Sequence, residues 1–344
     1  MAGRRPTPPP ELVEALQAFG KRSRAAPAPR AALSRLLGLM ASLPPEGAAA
    51  WAGEIGGSAR LWRAHGELDG SPLWPIPFRS DAALVGRVPG LEYLFLYHCD
   101  GRVREAALRA IAGPLPAPFH VAAVAYRLND WAWQVREAAA ACIGRTLPAS
   151  AARAIAPAAL FLLDRGRHWQ RWQAERGVLD AALGREDVVE GVAAEIAARA
   201  HGPMARALAA ALRWPAMDRH LAGLARRARQ PAVRATAFAA LFSGRARWPV
   251  RMCLRWIDKS LGRSEWVADY AERPLAPSGE AVSIEEAARD PAIAVRKVAA
   301  QALIDRGIGD AQALRLLQDL ATDPSRAVRE RAAFALERQA SAGG

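Results

Sequence analysis

The sequence is short of several things, and each shortage narrows what the protein can be. Cysteine occurs three times in 344 residues, at Cys99, Cys142 and Cys253, widely separated and with no CxxC. That excludes a disulfide framework and fits unpaired thiols in a reducing compartment. Lysine is nearly missing, at Lys21, Lys259 and Lys297 only, so the formal charge of +13 is carried by arginine. No apolar run approaches the ~20 residues a membrane helix needs. The nearest, LLGLM at 36–40, is flanked by Arg35 and Pro44. Arg4 and Arg5 are followed by TPPP rather than an apolar stretch, so neither a signal peptide nor a membrane contact is expected, and the reading is cytoplasmic. No run of alternating β-branched residues is long enough to suggest a sheet. Catalytic signatures are missing too. The six histidines form no HxxxH or HExxH pair, and no GxGxxG, GxxxxGK[ST] or GxSxG occurs. His98 and Cys99 are adjacent and point apart on a helix, a poor metal site. No catalytic residue, metal or cofactor is expected.

What the chain has instead is one grammar used repeatedly. It reads NDWAWQVREAAAACI at 129–143, DPAIAVRKVAAQAL at 290–303, DPSRAVRERAAFAL at 323–336, DGRVREAALRAI at 100–111 and QPAVRATAFAAL at 230–241. A valine precedes each arginine, alanine stands at +3, alanine or cysteine at +6, and leucine or isoleucine at +7. Those positions share one face of a helix of period 3.6. Small residues there let a neighbouring helix approach, and the branched residue fills the gap. The arginines 104, 136, 234, 296 and 329 are spaced by 32, 98, 62 and 33, so the unit is one in the low thirties. Weak copies at Arg171 and Arg206 fall in the first long gap, and a degenerate unit is expected near 265 in the second. Amphipathic stretches at 118–130, 150–166, 186–200 and 310–323 supply a second helix per unit.

This pattern resembles the HEAT repeat family over roughly residues 91 to 340. The resemblance rests on D-P-x-x-x-V-R-x-x-A-x-x-A-L at 290–303 and 323–336 and, without the proline, at 130–143. It implies an all-α fold, a right-handed α-solenoid of about seven to eight helical pairs. It also implies an Asp–Arg hydrogen-bonded ladder, with Asp130/Arg136, Asp290/Arg296 and Asp323/Arg329 as structural pairs. Arg104 and Arg234 depart from the pattern. Asp100 is only four before Arg104, and Gln230 replaces the acid before Arg234.

Residues 1–90 read as N-terminal helices at 11–19, 30–43 and 58–67, with 1–10 disordered and the apolar stretch 68–90 a loop capping the first repeat. A loop at 272–282 breaks the array just after the degenerate unit, so that unit and loop occupy about 257–282.

Charge placement is the main functional signal. Residues 201–256 hold eleven arginines and one acid, Asp218, or +10 of the chain's +13. Arg219, Arg226, Arg227, Arg229, Arg245, Arg247, Arg251 and Arg255, with Trp256, form the candidate partner-binding set. Two readings follow. One is a non-catalytic scaffold recognising an acidic protein through a basic curved surface. The other is a nucleic-acid-binding protein, since arginines neutralise phosphates and aromatics stack on bases. The bacterial alkylpurine DNA glycosylases, also HEAT-like, are similar in repeat type, basicity and tryptophan content. The nearest local candidate is Trp266 and Asp269, three apart, and no catalytic motif of that family aligns. Trp169 and Trp172, also three apart, are expected to share a helix face in the core. At least one of Trp131 and Trp133 is expected to be buried.

Overall fold

A computed structural model describes residues 6–21, 29–62, 81–166, 169, 171, 172, 175–277, 280–307 and 309–342. Among them the chain forms eighteen α-helices and one two-stranded antiparallel sheet. It divides into two compact units, Met1–Gly191 and Val192–Gly344. No helix among the described residues is long and apolar enough to cross a membrane.

The first unit opens with α1 (Pro10–Gly20), α2 (Pro29–Ser42), α3 (Gly47–Ala50) and α4 (Ala52–Ser58). It continues through α5 (Leu91–Phe95), α6 (Gly101–Ala110), α7 (Pro118–Tyr126), α8 (Trp133–Thr146), α9 (Ala152–Arg165) and α10 (Arg176–Leu183). The division falls within α11 (Glu186–Ala198). The arginine helices α6 and α8 stack side by side with α10 beyond them, and α7 packs on α9 in a second layer. The helix expected at 58–67 does not form in its described part. α4 ends at Ser58, and residues 59–62 turn, with Arg60 at φ 55. Residues 63–80 and 1–5 lie outside the described residues. Of the expected capping loop, Asp81–Leu84 makes a single turn against α6, with Leu84 and Val88 buried.

The second unit holds α12 (Met204–Ala211), α13 (Leu221–Arg227), α14 (Pro231–Ser243), α15 (Ile284–Ala288), α16 (Ile293–Arg306), α17 (Ala311–Ala321) and α18 (Arg326–Ala342). Here α12, α14, α16 and α18 stack in one layer, while α13, α15 and α17 back onto α14, α16 and α18. The repeat grammar explains this packing. In all five copies the valine before the arginine and the alanine after it are at most 1% exposed. A buried alanine layer of that kind allows close helix approach without voids.

The all-α expectation is corrected at one place. Between α14 and α15 the chain forms β1 (Arg245–Asp258) and β2 (Arg263–Pro274). This hairpin stands where the degenerate repeat near 265 was expected. The ladder shows that no repeat is missing there. Arg104 bonds Asp130, 26 residues on, and Arg234 bonds Asp290, 56 residues on. The difference of 30 is the hairpin, residues 245–274, and α14 packs directly on α16.

Candidate interaction site

Each acid of the ladder works twice. Asp130, Asp290 and Asp323 accept from the backbone N–H two residues ahead, at 3.1, 2.8 and 2.7 Å, turning the chain into its arginine helix. Pro291 and Pro324 therefore sit in that turn, ahead of α16 and α18, rather than in the first helical turn. The carboxylates then take the arginine of the preceding unit. Arg104 reaches Asp130 at 2.9 and 2.8 Å, Arg234 reaches Asp290 at 2.8 and 2.8 Å, and Arg296 reaches Asp323 at 2.6 and 3.1 Å. These are two-pronged guanidinium–carboxylate bonds, the strongest geometry for the pair. Within a unit the arginine binds the carbonyl six residues back instead. Arg136, Arg296 and Arg329 donate to the carbonyls of Asp130, Asp290 and Asp323 at 3.0, 2.9 and 2.7 Å. Arg104 and Arg234 make the same bond, to His98 and Ala228. The two arginines that departed from the sequence pattern are thus full rungs. An arginine needs only a carbonyl behind it and an acid in the next unit, whatever residue caps its own helix. Arg136 meets Glu175 at 3.3 Å. The hydrogen bond from Arg296 holds Asp323 below the usual carboxylate range. Burial lowers the Arg127 guanidinium, and Asp130 at 3.2 Å opposes that shift.

The arginine of the weak copy at Arg171 lies outside any helix. Arg171 precedes α10 and donates its backbone N–H to Asn129. Trp169 and Trp172 are buried and meet edge to face at 5.0 Å, outside any helix. Trp131 and Trp133 are both exposed, at 73% and 60%, because the chain enters α8 with its valine side inward. Trp133, Arg136, Glu137, Ala140, Glu175 and Val178 line an open groove of about 500 Å³. Arg206 does lie on a helix, α12.

The arginine block meets partners that its own sequence window hides. Arg226 bonds Glu286 at 2.8 Å and Glu280 at 3.2 Å, and Glu286 is held low by it. Arg245 pairs with Glu272, Arg251 with Asp269 at 3.1 Å, and Arg255 with Glu265 at 3.0 Å. Arg247 lies over the Tyr270 ring at 4.3 Å. Arg219 lies beside His220, Arg227 folds toward Gly223, and Arg229 is exposed. Residues 257–290 carry eight acids and four basic residues, so they offset part of the block's charge.

Among the described residues the hairpin is anchored at its base. Ala246 is fully buried, β1 touches α12 and α14, and Arg273 grips the buried Asp218 at 2.7 Å with both terminal nitrogens. The Leu275 N–H donates to the Gly244 carbonyl at 2.9 Å, closing the stem. Gly244 ends α14 at φ +67, a left-handed turn that favours glycine. At the tip, Asp258 accepts from the Ser260 and Leu261 N–H groups, and Gly262 at φ +63 completes the reversal. No described residue from 247 to 277 is buried.

Register assigns the two faces. Arg251, Cys253 and Arg255 stand opposite Asp269, Val267 and Glu265. Leu254 and Trp256, opposite Trp266 and Ser264, occupy the other face, and Tyr270 shares it. Trp266 and Asp269 are consequently on opposite faces of β2 and form no joint pocket. Of the twelve large apolar side chains exposed among the described residues, seven belong to the hairpin: Val250, Leu254, Trp256, Ile257, Leu261, Trp266 and Tyr270. Sequence reasoning missed the hairpin although arginines alternate with apolar residues along RARWPVRMCLRW at 245–256, because it sought β-branched runs and read the arginines as a charge block. The charges held a second signal. The arginines and the acids lie at mirror-image distances from the 259–262 turn.

Compared with known proteins, the chain matches no family model and no curated protein. Among the described residues no group of three or more His, Cys, Asp or Glu is placed to hold a metal ion.

Proposed function

We propose that this protein is a non-catalytic HEAT-like α-solenoid scaffold that binds an acidic protein, with the inserted hairpin as its contact element. One observation carries the reading: an exposed ribbon, rooted by an ion pair to the buried Asp218, that carries seven of the twelve large apolar side chains exposed among the described residues. A two-stranded ribbon is marginal in water alone and gains most by being covered. Aromatic side chains and arginine are the groups that dominate protein–protein contacts. The ladder supports a stiff platform beneath it, as stacked helical repeats require.

The mechanism is a pre-formed contact arm on a rigid base. Positive charge along β1 steers the partner, and the aromatic face supplies the buried area. The experiment is to purify the partner complex with the intact protein, treat it with nuclease, and repeat with the hairpin shortened. Shortening replaces residues 248–271 by Asn-Gly, a two-residue turn suited to hairpins. It keeps Ala246 and Arg273. A nuclease-resistant complex lost on shortening supports the reading. A complex dissolved by nuclease would replace it with nucleic-acid binding.

A further inference from the structure

The two edges of the hairpin differ in charge. β1 carries Arg245, Arg247, Arg251 and Arg255, and β2 carries Glu265, Asp269 and Glu272. The sheet has only these two strands among the described residues, so the outer edge of each has no strand beside it. Between the irregularities at Pro249/Arg251 and Trp256/Asp258, β1 keeps regular register from Arg251 to Trp256. Bulges end strand pairing, so this stretch, about 20 Å long at ~3.3 Å per residue, is the usable edge. Unpaired strand edges are templates for another strand.

We propose that this edge of β1 takes up an extended segment of the partner protein bearing two carboxylates four residues apart, with apolar residues between them. The inference rests on the scaffold reading above and names its chemistry. β2 already shows the pattern that fits. It presents Glu265 to Arg255 and Asp269 to Arg251 on one face, and Trp266 to Leu254 on the other. A segment on the outer edge meets the same arginines from the opposite side, and its apolar residues extend the Leu254–Trp256 surface. Main-chain hydrogen bonds hold such a segment, and alternate side chains give the specificity. Charge selects the edge. An acidic segment on β2 would face Glu265 and Asp269. A second copy adding β1 to β1 about Cys253 would set Arg251 opposite Arg255, and like charges directly opposite destabilise a pair.

The probe is a synthetic peptide with the sequence of residues 264–270, titrated into the full chain and followed by calorimetry. Three comparisons use the unmodified protein: the peptide with its two acids moved next to each other, the peptide N-methylated at alternate residues, and a single-stranded oligonucleotide. The expected result is binding of the parent peptide, at least tenfold weakened by either change to the peptide. The four-residue swap R251E/R255E/E265R/D269R keeps the cross-strand pairs with their signs reversed. It is expected to lose the parent peptide and to bind a peptide with arginines at the acid positions. Equal binding of the rearranged or N-methylated peptide, or none by the parent, overturns strand addition while leaving the scaffold reading open to its own nuclease test. Hairpin-dependent binding of the oligonucleotide alone overturns both. Concentration-dependent self-association of the intact protein, lost on shortening the hairpin, overturns the partner assignment in favour of a second copy.

Discussion

Asp130 is buried and binds two guanidinium groups, those of Arg104 and Arg127, and the Ala132 backbone N–H. Replacing it with alanine strands two buried guanidinium groups. The expected cost is about 3–5 kcal/mol, read by chemical denaturation, because breaking a buried pair leaves an uncompensated charge. His120 makes a separate prediction. Burial pushes it down to about 4, and its Nδ1 has no hydrogen-bond partner among the described residues. Between pH ~6.5, the ordinary histidine value, and 4 the unfolded chain binds a proton that the folded chain does not. Stability from this group is therefore complete above that range and falls as pH drops through it, by roughly 3 kcal/mol in all. Denaturation midpoints at pH 7 and pH 4.5 measure the fall, and His120→Phe is expected to remove most of it. The ladder carboxylates Asp290 and Asp323 are held low, so their loss belongs to more acidic pH. The inward alanines and valines were legible from spacing alone. Exposure of Trp131 and Trp133 was not, because Trp131 precedes α8 and Trp133 opens it, and the entry of a helix has no assigned face until the helix is docked.

At the scale of elements, the hairpin is an insertion that leaves its neighbours in register. Its ends meet at Gly244 and Leu275, and the Arg234–Asp290 rung closes behind it. Shortening it by the Asn-Gly replacement is expected to change unfolding free energy by no more than ~1 kcal/mol, since the removed part buries little. Arg273→Ala is expected to do more. It leaves Asp218 buried against the Ala276 N–H with its guanidinium gone, at about 3–5 kcal/mol. Thermal and urea unfolding of the two variants separates the anchor from the arm. A shortened protein much less stable than the intact one would mean that the arm holds the unit together.

At the scale of the molecule, the formal +13 overstates what a polyanion meets. The +10 of residues 201–256 faces Glu265, Asp269, Glu272, Glu280, Glu286 and Asp290. Duplex DNA binding is therefore expected to show a shallow salt dependence, with a log–log slope below about 3 between 50 and 200 mM. Fluorescence anisotropy measures it. A steep slope would mean that the block opens its ion pairs to bind phosphate.

The sequence by itself determined the helical layers, because a residue every three or four positions either fits against a neighbouring helix or does not, and that choice is local. It also placed the acids and arginines of the ladder. Only the tertiary structure decided which acid each arginine holds, since Arg104–Asp130, Arg234–Asp290 and Arg296–Asp323 join residues 26, 56 and 27 apart. The same holds for the hairpin. Its alternation and its mirrored charges are in the sequence, but only the tertiary structure decided that these strands pair with each other alone among the described residues and that neither face is buried.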